Sequence, residues 1–221
     1  MSDSTDHAGV TMDLDKITMW TRTERLAIAD FLDDLDDHEW TADSLCRGWT
    51  VHDVAAHLTL SNRVTLGATI AGILRARGNW DRMTERMARD RAGRYSPAEL
   101  IAQLREGAAW TRRAPGAGPL DPLVDTMIHG QDIARPLGRH HVMPLEQTVV
   151  ALEHVLRSPF YGSKKRLHGV RLLATDAEWS SGAGTAEIEG PLSDLLLVAT
   201  GRAAGLAGLT GTGVQRLASA F

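Results

Sequence analysis

Cysteine is nearly missing from this sequence of 221 residues; Cys46 is the only one. No intramolecular disulfide can form, so a secreted framework stapled by disulfides is excluded and a reducing compartment fits. Long apolar runs are missing too, and no stretch approaches the roughly 18 apolar residues of a membrane-spanning helix. The first twelve residues, MSDSTDHAGVTM, are polar and acidic and lack the basic start and apolar run of a signal peptide. The expectation is a cytoplasmic chain with no membrane partner. Basic blocks are the third absence. The 24 Lys and Arg lie scattered among 28 Asp and Glu, for a formal net charge of −4, which gives no general pull toward nucleic acid. No GxSxG elbow, phosphate-binding glycine loop or dinucleotide fingerprint occurs.

What is present is helical periodicity. Apolar residues make up 43% of the chain, enough for one sizeable core or for one core plus a small appended domain. Residues 1–12 read as a disordered lead-in. From Asp13 to Asp37, Ile17, Trp20, Ile28, Phe31 and Leu35 recur at helical steps, interrupted at Glu24, and the acidic run that follows reads as a solvated helix end and turn. Thr50 and Asp53 form a capping-box pair that opens a second helix, whose apolar stripe predicts continuity to Gly78. The Arg- and Asp-rich residues 79–95 read as a connecting segment. Ser96-Pro97-Ala98-Glu99 starts a third helix running to about Arg113. Asp121-Pro122 starts a fourth, stopped near Pro136 and Gly138. Four helices with no strand pattern between them predict a four-helix bundle over 13–143. After it the pattern changes. One more helix, strands at 169–175 and 184–190, a buried helix over 191–202, a strand-like piece at 206–209 and a short terminal helix predict a small α+β domain over 144–221.

The sharpest chemical signal lies on the fourth helix, in Asp125-Thr-Met-Ile-His129-Gly-Gln-Asp132. Residues four apart share a helix face, so Asp125 and His129 can converge on one ion, with His57 facing them from the second helix. Two imidazoles and one carboxylate suit Zn²⁺ and leave a fourth position open, as in catalytic zinc sites. Asp132 is placed to orient a ligand histidine through its other ring nitrogen. The plainer alternatives stay open: an Asp and a His four apart also occur on solvated faces, and a lone His among apolar residues is often a satisfied core residue. His52 is turned about 140° from His57 around the helix, and His140-His141 read as a solvated loop. Cys46 precedes a helix start, where a thiolate is favoured, but no His or base lies at a telling spacing. It reads as a small buried thiol beside Trp49.

Three stretches carry a resemblance. LCRGWTVHDVAAHL, DTMIHGQDIARPLG and GPLSDLLLVATGR resemble segments of the mycothiol-dependent maleylpyruvate isomerases and mycothiol S-transferases, a branch of the DinB-like bundles. The likeness runs from about residue 14 to 221. It implies a DinB-like bundle with a small α+β C-terminal domain, and a divalent metal, zinc first, on His57, Asp125 and His129. It also implies a low-molecular-weight thiol, mycothiol, as the attacking group, activated by the metal toward a small electrophilic or acidic substrate. The isomerases of the family carry Glu where Asp125 stands and a second His where Gly130 stands. An acidic substrate calls for cations, and Arg63, Arg82, Arg86 and Arg202 are the candidates. Alternatives on the same bundle are a metal-dependent hydrolase and a non-catalytic binding protein, and a homodimer is among the partners considered.

Overall fold

Asp13 begins the described part of the chain, residues 13–221 of a computed structural model; the lead-in expected over 1–12 lies outside it. The Asp13 carboxylate caps α1 (Leu14–Asp33), which buries Ile17, Trp20, Ile28 and Leu32 on one side. The interruption at Glu24 does not end that buried stripe, because Glu24 is itself buried against His141 of a later loop, 2.8 Å away. The acidic run beyond α1 is more ordered than a solvated turn. Asp36 and Glu39 form a reciprocal capping box that starts the short helix α2 (Asp37–Thr41).

The helix expected from Thr50 to Gly78 divides in two. The Thr50–Asp53 capping box starts α3 (Val51–Leu58), but Thr59 and Ser61 then turn their hydroxyls back onto the carbonyls of Ala56 and Leu58. Such back-bonding competes with the helical ladder, and Thr65 caps a fresh start for α4 (Leu66–Arg75). The segment read as a connection is a full helix, α5 (Trp80–Ala92), capped by Asn79 and closed at Gly93. Its arginines and aspartates face outward except Arg91, which bonds to Thr59 and Gln103, and Met83 and Ala88 are its only buried residues. Then follow α6 (Pro97–Gly107) with its Ser96–Glu99 box, α7 (Asp121–Ala134) with Pro122 in its first turn, and α8 (Leu145–Arg157).

Helices α1, α3, α6 and α7 form the bundle, with α5 laid over α3. Its core joins Ile28, Leu32, Val54, Ala55, Leu100, Leu104 and Ile133. A second cluster spans the rest: Trp20 and the α7 residues Leu123, Val124, Met127 and Ile128 pack against Leu152 and Val155 of α8 and against the C-terminal elements. Those elements are α9 (Ser163–Arg166), β1 (Val170–Ala174), β2 (Ser180–Ser181), β3 (Ala186–Gly190), α10 (Leu192–Ala199), a 3-10 helix over Ala203–Gly208, and α11 (Val214–Ala218). The strand-like piece expected at 206–209 is the end of that 3-10 helix, and strand pairing there is one bridge between Glu189 and Thr210.

The sheet order is β2-β1-β3, with β2 antiparallel and β3 parallel to β1. To pass from one edge to the other the chain runs hard against the start of β1. A Cβ at Gly182 would lie 2.3 Å from the Val170 carbonyl oxygen, and one at Gly184 would lie 2.1 Å from Gly169. Only glycine fits that approach. Helix α7 thus carries both cores. Eleven of its fourteen residues are buried, and the partly open ones include Asp125 and His129.

Candidate metal centre

The capping box that fixes the start of α3 places His57 in its last turn, facing α7. There Asp125 and His129, four apart, present adjacent side chains. His57 Nε2 and His129 Nε2 each stand 3.4 Å from the same atom, Asp125 Oδ1, and one ligand atom from each residue lies within 4.8 Å of the others. The imidazole centroids are 4.7 Å apart, with the rings edge to face. A separation of 3.4 Å is long for a hydrogen bond between these groups. It equals the edge of a tetrahedron of donors around an ion with bonds of about 2.1 Å, the length zinc makes to nitrogen and oxygen. The donor set and its spacing fit a divalent cation.

The surroundings hold this arrangement. His129 Nδ1 is 2.9 Å from Asp132 Oδ2, which leaves Nε2 turned to Asp125. Asp132 is fully buried and is held from three sides. Arg202 donates to it from Nη2 at 2.8 Å and Nε at 3.2 Å, and Cys46 Sγ donates to Oδ2 at 3.1 Å. Trp49 stacks over His129, centroids 6.5 Å apart and 16° between planes, and leans on His57 at 5.4 Å. The two histidines are unequal, since His57 Nδ1 is buried with no hydrogen-bond partner.

Charge balance follows from these contacts. Burial pushes the Asp125 carboxyl up, but the charges of His57 and His129 and their hydrogen bonds outweigh it and hold the group far below the usual carboxylate range. Asp132 is held low as well: burial opposes ionisation, and His129 and Arg202 prevail. For His129, burial disfavours the charged ring, yet Cys46, Asp125 and Asp132 together lift it well above an ordinary histidine. A second trio, Cys46, His129 and Asp132, also has ligand types in reach of one another. Its carboxylate is already committed to Arg202, so a cation there would face a guanidinium. The His57–Asp125–His129 trio has no such competitor.

The family described as "Mycothiol maleylpyruvate isomerase N-terminal domain" matches residues 21–150, more than half of the chain. This chain belongs to that family. Its structure is similar to the crystal structure of the mycothiol-dependent maleylpyruvate isomerase, with a TM-score of 0.60 at 18% identity, covering 91% of this chain and 93% of that one. A histidine-to-alanine mutant of that isomerase matches with a TM-score of 0.59, at the same identity and coverage. No curated protein sequence matches. The fold expected from the resemblance, a DinB-like bundle followed by a small α+β part, is the fold observed.

Against the family pattern, the departure at Gly130 has a steric cause. A Cβ there would meet the His141 ring at 2.7 Å, because His141 is buried against Glu24 in the space a larger residue would need. The expectation of a solvated loop at His140-His141 is therefore corrected at His141. His52 points away from the trio, with Nε2 3.0 Å from the Tyr95 carbonyl oxygen. Of the four candidate arginines, Arg202 reaches the centre. Arg63 is paired with Glu106 at 2.6 Å and lies over the Trp110 ring. Arg86 lines a cavity between α4 and α5, and Arg82 is exposed on the same helix. Among the described residues neither bonds to the trio. Sequence reasoning missed the place of Cys46 beside Asp132 and His129. No spacing signals it, because Cys46 and His129 are 83 positions apart.

Proposed function

We propose that the chain is a metal- and thiol-dependent enzyme of the maleylpyruvate isomerase type, an isomerase or S-transferase that acts on a small electrophile through a low-molecular-weight thiol such as mycothiol. The observation that supports it is the pair of imidazole nitrogens placed 3.4 Å from one Asp125 oxygen. A divalent ion held by these three residues, zinc by its preference for such donors, would supply Lewis acidity that favours the ionised form of a thiol.

The chain's own residues set the conditions. His57, Asp125 and His129 offer one negative and two neutral donors, so a divalent ion held by them would keep one positive charge, which a thiolate would balance. Asp132 accepts the Nδ1 proton of His129, which fixes the tautomer and keeps Nε2 free to ligate. Arg202 holds Asp132 in place and brings a cation close to the centre, within reach of an acidic substrate. Trp49 covers both rings and excludes water from one side of them. Cys46 hydrogen-bonds to Asp132 and is assigned the support of that carboxylate, with the nucleophile coming from outside the chain.

The test is metal analysis of protein purified without chelator, followed by disappearance of maleylpyruvate or a generic electrophile with and without mycothiol. The reading predicts about one divalent ion per chain and turnover that requires both ion and thiol. Turnover independent of added thiol would overturn it in favour of a hydrolase.

A further inference from the structure

A second cationic feature lies between α1 and the start of α7. Arg25 of α1 is buried, 3% exposed. Its Nη1 donates to the carbonyls of Gly107, Ala108 and Trp110 at the end of α6. Its Nε and Nη2 carry no hydrogen bond among the described residues, and Arg25 forms no ion pair with any of them. A buried charge is normally paired. Among the described residues, the charge of Asp125 favours its ionised form, while burial and Arg63 oppose it.

The guanidinium, bonded through Nη1 alone among the described residues, lines a cavity of about 230 Å³ between α1 and the loop that joins α6 to α7. Arg112 and Arg113 stand at its exposed rim, Trp110 forms one wall and Pro122, in the first turn of α7, closes one end. Among the described residues, no carboxylate lines it. Arg112 has one long bond, 3.4 Å to the Val64 carbonyl, and Arg113 has no partner among the described residues. The volume is below that of sites for drug-sized ligands, so the occupant is small. Three guanidiniums with free N–H groups and no competing acceptor charge match the forked geometry of carboxylate or phosphate oxygens.

We infer that this cavity binds a small anion bearing carboxylate or phosphate oxygens, clasped by Arg25 from below and by Arg112 and Arg113 at the rim. The inference is independent of the metal reading, because none of the three proposed ligands lines the cavity. Arg25 also satisfies the carbonyls that end α6, so the rim gives the cleaner variant.

The experiment is calorimetric titration of the full chain, freed of metal on a chelating resin and dialysed into chelator-free, non-anionic buffer, with maleate and separately with inorganic phosphate. Saturable binding of either anion is expected, and the preferred one identifies the oxyanion. Each exposed arginine contributes a few-fold in affinity, so Arg112→Ala/Arg113→Ala together should weaken binding about tenfold. His57→Ala should leave it unchanged. Failure of the wild-type chain to bind both anions, or equal affinity in the rim variant, overturns the inference; loss of binding in His57→Ala moves the anion to the metal centre and overturns it too.

Discussion

Replacing Asp132 by Asn tests the centre at the point where its contacts meet. The side chain keeps its shape but loses the charge that Arg202, His129 and Cys46 all address. Two effects follow, and they can be measured apart. The first is on stability. Breaking a buried, hydrogen-bonded charge pair costs about 3–5 kcal/mol, and Arg202 retains 23% side-chain exposure, so the lower end, about 3 kcal/mol, is expected. Urea unfolding in the presence of chelator reads it without any contribution from metal. The second is on the ion. Loss of the group that orients a ligand histidine lowers metal affinity about 10- to 100-fold, or about 1.4–2.8 kcal/mol, read by competition with a chelating dye. An Asp132→Asn chain with wild-type stability and wild-type affinity would refute the reasoning, since Asp132 would then be a buried bystander.

Other outcomes follow from the same contacts. His57→Ala or His129→Ala should each abolish metal retention and thiol-dependent turnover while circular dichroism stays native. Cys46→Ala removes one of several donors to Asp132 and should leave turnover within a few-fold, with its thiol dependence unchanged; abolished turnover would make Cys46 the nucleophile. Gly130→His should destabilise by at least about 2 kcal/mol through overpacking against His141, and pairing it with His141→Ala should recover part of the loss in thermal melts. Asp121 supplies a pH test: its hydrogen bond to His154, 2.7 Å long, outweighs burial and depresses its carboxyl. A depressed folded value means the stabilisation is present above the unfolded carboxylate value of about 3.9 and is lost as pH falls through the folded one. Asp121→Asn should therefore be less stable than wild type at pH 6, with the difference vanishing toward strongly acidic pH in urea titrations.

How far the sequence went can be seen at particular residues. The start of α3 and the first turn of α7 were legible because caps and first-turn prolines act locally, and the Asp125–His129 pair followed from helix geometry alone. The break at Thr59–Thr65 was hidden by apolar residues that continue in helical register on both sides, so periodicity ran across a turn made by side-chain hydroxyls. Helix α5 was missed for the opposite reason: so few of its residues are buried that no stripe shows. Glu24 looked like a flaw in α1 and His141 like a loop residue. Each explains the other, over a separation of 117 positions that no window can span. The same holds for Cys46 and for Arg25, whose unpaired charge exists only once α1, α6 and the following loop are assembled.

Arg202 stands 70 positions beyond Asp132, on the far side of the sheet in chain order. During synthesis both histidines and Asp125 are made well before the arginine that steadies Asp132. A nascent chain can thus bring the three donors together but cannot lock them until its final fifth has docked. If an ion is held there, tight retention would report that the segment around Arg202 has docked on Asp132, and slow ion exchange would separate such molecules from those in which that segment is still loose.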